Sequence, residues 1–65
     1  PMKVYIACRA PGTKRAMLLT SKGELTAKRV HAALFEQSDA LSLIQDAATD
    51  PQNAGWFFQM REARP

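Results

Sequence analysis

One cysteine and one histidine are all that 65 residues contain of those types, and each scarcity removes a class of explanation. Cys8 has no partner within the chain, so no disulfide braces a domain this small. One Cys and one His cannot supply the four ligands of a structural zinc site, and no metal or cofactor is expected. A Ser/His/acid or Cys/His catalytic set would have to use His31, which lies in the polar stretch Lys28-Arg29-Val30-His31 and reads as a solvated side chain. Asp39, Asp46 and Asp50 have no metal-ligand spacing. Pro11-Gly12-Thr13-Lys14 lacks the second glycine and the spacing of a phosphate loop. No apolar run approaches the ~20 residues of a membrane span, and no signal-peptide core follows the start. The expectation is a cytoplasmic chain that does not engage a membrane and has no catalytic residues.

The composition that remains is that of a globular protein, 46% apolar and 23% charged. At this length one small domain over residues 1–65 is expected, burying only about 60% of its unfolded-chain surface. Lys3, Tyr5 and Arg9 alternate with Val4, Ile6 and Cys8, the period-2 pattern of a half-buried strand from Met2 to Arg9. Pro11-Gly12 marks a turn, and Ala16–Thr20 is the returning strand of a hairpin. Ser21–Glu24 is a second turn. Leu25–Glu36 admits two readings: a helix over 27–35 capped by Thr26, or a helical turn followed by a short strand around 32–35. Ser38 reads as the N-cap of a helix with Leu41, Ile44, Ala47 and Ala48 in its apolar stripe, and Asp50-Pro51 ends it. Trp56–Glu62 alternates again, Trp56, Phe58 and Met60 against Phe57, Gln59 and Arg61. Residues 63–65 are expected to fray.

This order predicts an α+β fold: a small two-layer sandwich with a three-stranded antiparallel sheet (hairpin plus C-terminal strand) and one or two helices on one face. The stripes of Val4 and Ile6, Leu18, and Trp56 and Phe58 are expected to meet in its core. Such a sheet leaves an open edge, through which a homodimer can form.

Charge is divided unevenly. Residues 1–29 hold seven of the nine basic side chains and one acidic one, whereas residues 30–65 hold two basic and five acidic ones. The basic half places Arg9, Lys14, Arg15, Lys22, Lys28 and Arg29 where they can dock on an acidic protein surface or on nucleic-acid phosphates. The sequence pI near 9.5 agrees with either. Along the chain the aromatic residues do not interleave with the basic ones, which favours the protein partner. Whichever of Trp56 or Phe57 misses the core is a candidate apolar anchor, the alternative being that both are buried in a core short of large residues.

Two resemblances add to this reading. Pro1, the strand to Cys8 and the length resemble the small tautomerases of the 4-oxalocrotonate type, whose N-terminal proline is a general base and whose arginines bind substrate carboxylates. That likeness implies a Pro1-dependent enzyme with Arg9 and Arg15 as carboxylate binders, but Pro11-Gly12 and Gly23 interrupt the stretch where that family runs one long helix. The simpler expectation is that Pro1 is a tag remnant before a native Met2. The run Ala33-Leu34-Phe35 leading into Ser38-Asp39-Ala40-Leu41, a helix, Gly55 and an aromatic strand resembles very short phage and mobile-element proteins of the anti-CRISPR or anti-defence kind. That resemblance implies an inhibitor that docks on a host protein or nucleoprotein machine and blocks it. The first expectation is therefore a non-enzymatic protein-interaction module, the second a small basic nucleic-acid-binding protein.

Overall fold

The computed structural model describes residues 2–63; the expectations for Pro1, Arg64 and Pro65 fall outside them. Five strands and one helix follow in the order β1 (Lys3–Arg9), β2 (Met17–Leu19), β3 (Leu25–Thr26), β4 (Phe35–Glu36), α1 (Gln37–Thr49) and β5 (Phe57–Glu62). All pairings are antiparallel. The α+β class is as expected, but the sheet has five strands rather than three and there is one α-helix.

β1 is the centre of the sheet. Along one side it pairs with β5 over its whole length, from Val4 opposite Glu62 to Arg9 opposite Phe57. Its other side is shared: Ala7 and Cys8 pair with Leu18 and Met17 of β2, and Lys3 and Val4 pair with Glu36 and Phe35 of β4. A strand flanked on both sides and covered on one face buries best, and Val4, Ile6, Ala7 and Cys8 are all buried.

The β1–β2 connection follows its turn chemistry. Pro11 presets its own φ, Gly12 takes φ +75°, and the Thr13 amide donates to the Ala10 carbonyl at 3.2 Å. Arg9 Nη1 donates to the Thr13 carbonyl at 2.9 Å and ties the turn to the strand end. The stretch from Leu25 to Glu36 takes the form of a turn plus a short strand, with β3 ahead of both. Thr26 is not a helix cap: its hydroxyl accepts from the Lys28 amide at 3.1 Å in a local side-chain turn. The helical turn that follows runs only from Arg29 to His31, with Lys28 at its cap position and no side-chain bond there.

Two expectations about the core are corrected. Leu18 lies opposite Ala7, whereas Val4, Ile6 and Cys8 alternate to the other face; Leu19 is the β2 residue that packs against the core. In α1 the fully buried residue is Ala40, at 0% exposure, while Leu41 is 46% exposed. Ala40, Ile44 and Ala47 follow helical spacing, and the small side chain at 40 lets the helix settle on the sheet. The helix also starts earlier than Ser38. Glu36 occupies the cap position in extended conformation, and the Gln37 amide donates to the Met2 carbonyl at 3.2 Å, so the strand's own pairing sets the boundary. At the far end Asn53 Nδ2 donates to the Ala47 carbonyl at 3.0 Å and Asp50 Oδ1 accepts from the Gln52 amide at 3.0 Å, closing the helix ahead of Pro51 as expected.

Phe35, Ile44, Trp56, Phe58 and Met60 complete the core around Val4, Ile6, Cys8 and Ala40. Trp56 and Phe58 stack with ring centres 6.4 Å apart and planes 12° from parallel. Among the described residues no helix is long and apolar enough to cross a membrane.

Candidate functional site on the open sheet face

Because α1 packs on one face of the sheet, the odd-numbered residues of β1 and β5 form the opposite face. Direct cross-strand pairing arranges them in rows: Tyr5 beside Arg61, Ala7 beside Gln59 and flanked by Leu18, and Arg9 beside Phe57. Phe57 is 61% exposed, the most exposed aromatic side chain among the described residues with large apolar surface. The Arg9 guanidinium stands 4.3 Å from the centre of its ring, and the Arg29 guanidinium 5.6 Å from the centre of the Tyr5 ring. Each is a cation–π pair on the same side of the sheet.

Between these rows lies an open cleft of about 440 Å³ lined by Ala7, Arg9, Lys14, Ala16, Phe57, Phe58, Gln59 and Arg61. Ala7 is its floor, since a larger side chain in the centre of the sheet would fill it. Lys3 borders the face but is engaged: its Nζ donates to Glu36 Oε1 at 2.8 Å, and this ion pair holds the Glu36 carboxyl below the usual carboxylate range. The acidic residues of α1, Asp39 and Asp46, belong to the covering layer rather than to this face.

Of the side chains singled out from sequence, the fold brings Arg9, Lys14, Arg29 and Phe57 to the open face. Arg15 and Trp56 line a different cleft of about 320 Å³ with Cys8, Met17 and Leu25, to which α1 contributes nothing. Lys22 lies with His31, Thr20 and Glu24 in a polar cleft at the β2–β3 end, and Lys28 is exposed. Of the two candidate anchors, Trp56 is half-buried against the core and Phe57 is the exposed one. Tyr5, Gln59 and Arg61 belong to the open face and were not among the candidates, although their alternation with core residues marked them as outward-facing.

The interleaving of basic and aromatic side chains that the linear sequence lacks is present in the sheet. Arg9 and Phe57 are 48 positions apart along the chain and directly opposite in it. Cys8 is a core thiol, buried, with its pKa pushed up by desolvation, which is the reverse of an activated nucleophile. Among the described residues no group of three or more His, Cys, Asp or Glu side chains is placed to hold a metal ion. No protein-family model matches the chain, and neither the curated proteins nor the solved structures include one significantly similar to it.

Proposed function

We propose that this chain is a non-enzymatic binding module whose open sheet face takes a single-stranded nucleic acid. The observation that carries the reading is the Arg9 guanidinium over the exposed Phe57 ring at 4.3 Å, with Arg61 and Lys14 lining the same cleft. An unstacked base gains about 1–3 kcal/mol by lying on an aromatic or guanidinium plane, while free cations track the phosphates on either side. A duplex hides its base faces and offers such a surface only phosphates, so loops and single strands fit it better. Gln59 is the one neutral hydrogen-bonding side chain in the cleft, which favours sequence-tolerant stacking over base reading.

Fluorescence anisotropy with short labelled DNA and RNA strands tests the reading. If Arg9, Lys14, Arg29 and Arg61 each neutralise one phosphate, log K should fall against log salt with a slope of about −3 for single strands. Phe57→Ala should weaken binding by about 5- to 150-fold, through loss of one stacking platform. Arg61→Glu should weaken it and flatten the slope. Binding absent at low salt, or unchanged by Phe57→Ala, refutes the proposal.

A protein partner with an acidic face is the second reading. It is favoured by Val30 and Leu34, which are 83% and 49% exposed close in sequence to Arg29 and give a mixed apolar and basic surface. An inhibitor of the anti-CRISPR or anti-defence kind would use such a surface to block a host machine. A partner captured from nuclease-treated lysate, and lost on substituting Val30 and Leu34 but not Phe57, would favour this reading over the first.

A further inference from the structure

β5 offers six residues of strand edge to solvent. Its inner edge is defined by the bond from the Ala63 amide to the Lys3 carbonyl at 3.2 Å, which makes 3 and 63 a hydrogen-bonded pair. In an antiparallel ladder such pairs recur at every second residue, so positions 57, 59 and 61 also turn their backbone groups toward β1. Phe58, Met60 and Glu62 therefore turn theirs outward, and among the described residues no strand pairs with that edge. The opposite end of the sheet, β3, is only two residues long. β5 carries neither proline nor a bulge, and of the means that blunt an edge it has only the charges of Arg61 and Glu62 at its C-terminal end.

We infer that β5 pairs antiparallel with β5 of a second copy about a twofold axis through Gln59. A twofold pairing that uses the outward groups must be centred on a residue, and the choices differ in what they oppose. Centring on Arg61 sets arginine against arginine. Centring on Met60 sets Phe58 against Glu62 on the apolar side. Centring on Gln59 sets Phe58 against Met60 on the core side, and on the open face sets Phe57 against Arg61 and Gln59 against itself. Each of these pairs is complementary: apolar with apolar, aromatic with cation, amide with amide. The register overlaps all of Phe57–Arg61 and leaves no like charges directly opposed.

The surface of the chain agrees with a partner of this kind. It exposes 4997 Å², against about 4,100 Å² expected of a folded monomer of this mass. The excess is comparable to the ~800 Å² that one partner contributes to a standard interface. Pairing through β5 also joins the two open faces into one sheet surface, although the inference stands whatever occupies that surface.

Gln59 supplies the test. At the axis it is a non-hydrogen-bonded pair, with Cα atoms about 4.5 Å apart, inside the range a disulfide spans. Gln59→Cys should therefore give a covalent dimer under mild oxidation, in the absence of nucleic acid. Phe57→Cys and Arg61→Cys should not, because each lies about 13 Å along the strand from its own copy. The unsubstituted chain serves as the control, Cys8 being buried. In sedimentation equilibrium, Gln59→Lys and Gln59→Glu should each weaken self-association by roughly fivefold or more, and an equimolar mixture of the two should restore it. Circular dichroism confirms that each variant is folded, which the exposed position of Gln59 favours. A chain that stays monomeric up to about 1 mM overturns the inference, as does cross-linking at position 61 equal to that at 59.

Discussion

Replacing Ile6 tests the core most directly. Ile6 is 2% exposed, lies at the middle of the central strand, and faces Met60 across the β1–β5 ladder. Ile6→Ala removes three buried carbons, about 2.4 kcal/mol at ~0.8 kcal/mol each, before any cavity is counted. The site has little to collapse with, because a crevice of about 100 Å³ already lies beside Ile6 between Leu19, Leu43, Ile44 and Phe58. The expected loss is therefore about 3–4 kcal/mol. A 65-residue domain has only about 3–10 kcal/mol of total stability, so the variant should lose from about a third to all of it, with Tm falling by about 12–32 °C. Ile6→Val should cost about 1 kcal/mol, lowering Tm by about 4–8 °C. Val30→Ala, at a position 83% exposed, should change stability by under about 0.5 kcal/mol. Urea denaturation followed by Trp56 fluorescence reads all three on one scale. A loss under about 1 kcal/mol for Ile6→Ala would refute the account of the core. If Leu18→Ala cost more than Leu19→Ala, the register between β1 and β2 would be wrong by one residue.

Gly55 and Gly12 both hold positive φ, +85° and +75°, but they differ in surroundings. A Cβ on Gly55 would stand 3.1 Å from Pro11 Cγ, whereas one on Gly12 meets nothing within 4 Å. Gly12→Ala should thus cost about 1 kcal/mol of backbone strain and Gly55→Ala clearly more, with Tm falling furthest for Gly55; equal losses would count against the packing of Pro11 on the start of β5. Acidification should be felt at Glu36, whose carboxylate is favoured in the fold first by the hydrogen bond from Lys3 and then by its charge. Its folded pKa is depressed, so the stabilisation is present above the unfolded carboxylate range and is lost as pH falls through the folded value. An NMR titration of Glu36 should show a midpoint below the usual carboxylate range that returns toward it in Lys3→Met, and a midpoint indifferent to Lys3 would refute the assignment.

What was legible in the sequence is what local chemistry decides. The Pro11-Gly12 turn, the two alternating strands and the stop at Asp50-Pro51 each follow from residues within a few positions of one another. Leu18 and Leu19 are adjacent and equally apolar, so period alone cannot say which faces the core; the pairing of Leu18 with Ala7 does. β3 and β4 are two residues each, too short for any alternation to show. Ser38 has the chemistry of a cap, yet the helix begins at Gln37 because the pairing of Lys3 with Glu36 and the bond from Gln37 to Met2 fix the end of β4. The candidate site was half visible for the same reason. Its individual cations and Phe57 could be named, but that Arg9 meets Phe57 and Arg29 meets Tyr5 depends on register and loop path over 48 and 24 positions.

β1 ties the two halves of this account together. Its even-numbered residues, Val4, Ile6 and Cys8, supply the core, and its odd-numbered residues Tyr5 and Arg9 supply the open face. On the proposed reading, stability and binding fall to alternate positions of one strand, and substitutions there should separate by parity. Ala7 is the position where the separation fails: it is odd-numbered, 2% exposed, and the floor of the cleft between Arg9, Gln59 and Arg61. A larger side chain at Ala7 would fill the cleft while gaining apolar contact with Leu18 opposite. On the proposed reading such a change should weaken nucleic-acid binding, and because Ala7 is buried it should alter stability as well, so both readouts move together at this position.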